Sequence, residues 1–188
     1  MAVEAVCRNL GLNFHGLSDG TFVCDYPRGL DVPTKEPLEI LLGFIGDEND
    51  YVQALAAPGF ARVLEVTEDV DCAIDMSIKA LMAAKLDVDP RSEKSQSRRI
   101  RWALGHAIDR ALGEETMDIA TIRKAVDAFK PLAMSEDKKL AYVGLTAVAN
   151  VANVSTYRGY DDEAVERSVD EMRARIEDAL SYFPDNKR

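Results

Sequence analysis

Between positions 67 and 183 the apolar residues recur by threes and fours in five successive stripes, each preceded by a residue suited to capping a helix. A chain with that pattern has few options. Each stripe makes one helical face that must be buried, and the short stretches between them favour neighbours packed antiparallel.

The first stripe follows Thr67 as N-cap and carries Val70, Ala73, Ile74, Ile78, Leu81 and Met82, with Glu68, Asp69 and Asp71 at the positive end of the dipole. After a polar stretch over 87–97 that contains Pro90, a second helix over 97–112 presents Ile100, Ala103, Leu104, Ala107, Ile108 and Ala111 and ends at Gly113. Asp118 caps a third helix with Ile119, Ile122, Val126 and Phe129, stopped by Pro131. Ser135 caps a fourth, and Asp161 or Asp162 opens a fifth with Val165, Val169, Met172, Ile176, Leu180 and Phe183 before Pro184.

The fourth helix contains the longest uncharged run, 140–157, which approaches the length of a membrane span. Thr146, Asn150, Asn153, Ser155 and Thr156 would be costly in lipid, so the run reads as the buried central helix of a bundle.

Positions 1–66 differ in character, being irregular in pattern and rich in proline and glycine. Segments 12–15 and 21–26 flank a turn-rich Gly16-Leu17-Ser18-Asp19-Gly20, which predicts a small β-hairpin. Thr34 predicts the cap of a short helix with Leu38, Leu41, Leu42 and Ile45 on one face, closed by Gly46. Another short helix is predicted over 47–57, stopped by Pro58-Gly59, and 60–66 reads as a strand or a connector. At 188 residues, 47% hydrophobic and 30% charged, the chain suits one globular domain over 1–188. The expected fold is mainly α: an antiparallel bundle of about five helices over 67–188 with a small α/β N-terminal part over 1–66.

The net charge of -10 repels phosphate backbones and anionic membranes on average. Cys7, Cys24 and Cys72 are odd in number and widely spaced, which fits a reducing compartment and no disulfide framework. MAVEAVCRNLGLNF lacks a cationic flank followed by a long apolar run, so no signal peptide is read there and a cytoplasmic location is expected.

One segment reverses the sign. Arg91, Lys94, Arg98, Arg99 and Arg101 fall close together with Glu93 the only acid among them, and they lead into Trp102, the chain's one tryptophan. On a helical wheel Trp102 lies opposite the apolar stripe, near Arg98, Arg99, His106 and Asp109, with Gly105 leaving backbone accessible. Cation and aromatic surface together suit recognition of a macromolecule, so Arg98, Arg99, Arg101, Trp102 and His106 are the candidate partner-binding residues. The bland alternative has Trp102 packed under the N-terminal part and the arginines paired with this chain's carboxylates.

Catalytic material is sparse. Glu68, Asp71 and Asp75, and again Asp162, Glu166 and Asp170, share helix faces in the way that holds Mg²⁺ in all-α nucleotide hydrolases, but solvated acids are the plainer reading. His15 and His106 are the only histidines. With Cys7 and Cys24, His15 makes three zinc ligands without a fourth or a characteristic spacing. GxSxG, P-loop, GxGxxG and zinc-knuckle motifs are absent, and no motif carries a family resemblance. Tyr142, Thr146, Asn150, Asn153 and Tyr157 form a hydrogen-bonding stripe on the fourth helix that suits a buried polar network better than a small-molecule pocket.

These readings point to a non-enzymatic protein without cofactor or metal that binds a protein partner, as an adaptor, an assembly subunit or an inhibitor, including an acidic protein that occupies a basic surface. A nucleic-acid-contacting subunit using 91–106 is second, disfavoured by net charge, and a metal-dependent nucleotide hydrolase is third.

Overall fold

The computed structural model describes residues 2–9, 11–16, 22–25, 34–84, 95–111, 119–157, 167 and 170. It is a mainly α-helical bundle with little strand. The described elements run α1 (Ala2–Asn9), β1 (Asn13–Gly16), β2 (Phe22–Asp25), α2 (Lys35–Ile45), α3 (Asp50–Glu65), α4 (Val70–Ala83), α5 (Gln96–Ala111), α6 (Ile119–Ala133) and α7 (Lys138–Tyr157). The fifth predicted stripe, 161–183, lies outside the described residues except for Arg167 and Asp170, both exposed.

The first 66 residues are far more helical than their punctuation suggests. α1 was not predicted; it buries Val3 against the core, and Gly11, at φ 69°, turns the chain into β1 while its N–H donates to Arg8 O at 2.9 Å. The predicted hairpin is present, antiparallel, with Asn13 opposite Asp25 and Gly16 opposite Phe22. α2 starts after Thr34 as predicted, although the Thr34 side chain makes no capping bond, and it buries Pro37, Leu38, Leu41 and Ile45.

The largest correction concerns α3. Pro58-Gly59 was expected to end a helix and 60–66 to be a strand or connector, yet α3 continues through both to Glu65. Pro58 cannot donate to the Ala54 carbonyl and Gly59 has poor helix propensity, so local preference opposes this helix. Burial outweighs it: every residue from Leu55 to Ala61 is buried, together with Val63 and Leu64. α3, rather than the helix over 140–157, holds the longest unbroken buried run among the described residues.

Two caps also differ from expectation. Asp69, not Thr67, caps α4, its carboxylate accepting from Cys72 N at 3.0 Å, while Thr67 is buried and donates to Val63 O at 2.9 Å. Asp137, not Ser135, caps α7, accepting from Lys139 N at 2.8 Å and Leu140 N at 3.2 Å; Ser135 accepts from Asp137 N at 3.1 Å. Pro131 lies inside the last turn of α6 instead of ending it, and the predicted cap Asp118 lies outside the described residues.

One hydrophobic cluster runs through the molecule, from Val3 and Leu12 through Leu38, Phe60 and Leu81 to Ile100, Phe129 and Val148. α5 packs against α3, α4 and α7; α2 packs against α3 and α4; α6 packs mainly against α7. No helix of the described residues is long and apolar enough to cross a membrane.

Candidate partner-binding face on helix α5

α5 begins in a buried polar cluster. Ser95 and Ser97 are both buried with their hydroxyl oxygens 2.9 Å apart, and Ser95 Oγ accepts from Arg98 N at 3.4 Å. Gln96 donates its amide to Gln53 Oε1 at 3.3 Å, and buried Gln53 donates in turn to Asp47 O. These bonds tie the start of α5 to the start of α3 and to the α2–α3 turn. Gln96 Oε1 is buried with no hydrogen-bond partner among the described residues.

From that anchored start, the helical period sorts the predicted basic cluster into two sets. Arg101 turns inward and is only 4% exposed, which corrects its assignment to the outer binding face. Its Nε donates to Ser97 O at 3.0 Å, its Nη1 donates to Thr146 Oγ1, and its guanidinium lies over the Tyr142 ring, 5.6 Å from the centroid. Arg101 thus joins α5 to the polar stripe of α7, where Tyr142 and Thr146 form the interhelical network that the sequence suggested. Asn150 is half-buried; the side chains of Asn153 and Tyr157 lie outside the described residues.

Burial pushes the Arg101 guanidinium down to about 10, opposed by Tyr142, with the like charge of Arg98 adding to the depression. It stays charged at neutral pH. Because the folded protein holds this proton less tightly than the unfolded chain, the desolvation cost is fully present below about pH 10 and is relieved only as pH rises above that value. The near-isosteric change Thr146→Val removes an acceptor from a buried cation. It should destabilise the fold by about 2 kcal/mol in urea unfolding, as loss of a charged hydrogen bond does. Unchanged stability would show that Thr146 does not hold Arg101.

Trp102, one residue further, is 59% exposed on the opposite side of α5. Arg98 and Arg99, one turn before it, are half-buried, and the space where a Cβ of Gly105 would lie is open, with nothing within 4 Å. Trp102 is therefore not packed under the N-terminal part, and the outer face of α5 combines an indole, two cations and a gap. His106 belongs to α5 by its backbone, but its side chain lies outside the described residues, as do Arg91 and Lys94 altogether.

Two of the acids predicted as a metal alternative, Asp71 and Asp75, are engaged with cations on the surface. Asp75 pairs with Lys79 at 2.6 Å and Asp71 pairs with Lys124 of α6, all four side chains being at least half-exposed. Lys79 is held above its usual range by the hydrogen bond it donates to Asp75. Among the described residues no group of three or more His, Cys, Asp or Glu could hold a metal ion; Asp162 and Glu166 lie outside them. Cys72 is half-buried and its thiol is pushed up by burial and then by Asp69, away from the reactive thiolate form. His15 is exposed on β1, whereas the side chains of Cys7 and Cys24 are outside the described residues.

Two features escaped sequence reasoning. The inward turn of Arg101 was recoverable, since Ser97, Arg101 and Leu104 follow one another by three and four along the buried side of α5. The Gln53–Gln96 amide pair had no signal, because its partners are 43 residues apart and neither belongs to a motif. No protein-family model, curated protein or solved structure matches the chain.

Proposed function

We propose that this chain is a non-enzymatic, cytoplasmic interaction protein, an adaptor, assembly subunit or inhibitor, that docks on a protein partner through the outer face of α5. The observation that supports this reading is Trp102, a large aromatic left 59% exposed next to Arg98 and Arg99 on a helix whose other side is locked into the core. Tryptophan and arginine dominate interface hot spots because they combine large apolar area with directional polar contacts. Over the chain as a whole, an excess of ten negative charges keeps unrelated acidic surfaces away, which favours a specific encounter at the basic face.

The test is affinity capture from native extract with and without nuclease, comparing the parent protein with Trp102→Ala/Arg98→Ala. The double variant should weaken capture of the partner by at least about 2 kcal/mol in a follow-up titration while its melting temperature stays close to the parent's. Normal binding by that variant would sink the reading. Affinity lost steeply with rising salt and abolished by nuclease would assign the face to nucleic acid instead. Mg²⁺-dependent nucleotide turnover that disappears in Asp71→Asn would overturn the non-enzyme reading.

A further inference from the structure

We draw no further inference here: the strongest candidate, the exposed surface patch of Trp102 and Gly105 on the outer face of α5, belongs to the docking face already described, and nothing in the structure shows what covers it.

Discussion

Gly144→Ala should destabilise this protein by about 3 kcal/mol or more, although the added group is one methyl and alanine is the better helix former. Gly144 sits inside α7 where that helix meets the end of α6. A Cβ built there would lie 2.6 Å from Leu132 C and 2.8 Å from Ala133 Cα, and closer still to Ala133 N. All three are backbone atoms, so no rotamer change can make room. The end of α6 would have to move, disturbing the buried Leu132, Ala133, Val143 and Leu145 at a contact that packs like an organic crystal. Gly43→Ala and Gly105→Ala are the controls, since nothing lies within 4 Å of either added Cβ. Both should be neutral or stabilising by up to about 1 kcal/mol, the ordinary gain for glycine to alanine in a helix. Urea unfolding of the three variants gives the comparison. Gly144→Ala as stable as the parent would mean that α6 and α7 do not approach this closely.

That contact also shows which parts of the fold the sequence makes legible. Apolar periodicity exposes any helix with one buried face, and α2, α4, α5, α6 and α7 were all readable in this way. It fails for α3, which is buried on nearly all sides from Leu55 to Ala61, so that no periodicity remains and Pro58-Gly59 becomes the loudest local signal. Tertiary burial then overrides a propensity cost that the sequence displays openly. Caps were misplaced by two residues at α4 and α7 for a related reason. Thr67, Asp69, Ser135 and Asp137 are all competent capping residues, and only the packing of the helix start decides which of them faces the orphan N–H groups.

The α5 face was legible in outline because charge and aromatic character stand out against an acidic chain. Its division was not. Arg98, Arg99 and Arg101 look alike as a cluster, and the structure places the third under Tyr142 and Thr146, where it joins helices, while the first two flank Trp102. A cluster of like residues on a helix spans more than one face, so composition locates the segment and only the phase of the buried side assigns each member.

Val148→Asp should cost several kcal/mol at neutral pH, and the loss should shrink as the pH is lowered. Val148 is 1% exposed and Val151 is fully covered, both within the single core cluster that joins α7 to the rest of the bundle. A carboxylate placed there loses its hydration, so its pKa in the folded protein rises above the unfolded value of about 3.9. Through the interval between those two values the folded state binds more protons than the unfolded state. Stability therefore falls as pH rises through it. Thermal melts of Val148→Asp should thus converge toward those of the uncharged analogue Val148→Asn near pH 4 and separate from them by pH 7, whereas the parent shows no such divergence between the two conditions. Val151→Asp should behave in the same way. Trp102→Ala, on the exposed side of α5, should melt like the parent at both pH values, because its loss uncovers nothing in the core. If Val148→Asp melted like the parent at neutral pH, α7 could not be packed in the core as described. The anchoring of Arg101 by Thr146 would fall with it, since the same helix presents both residues.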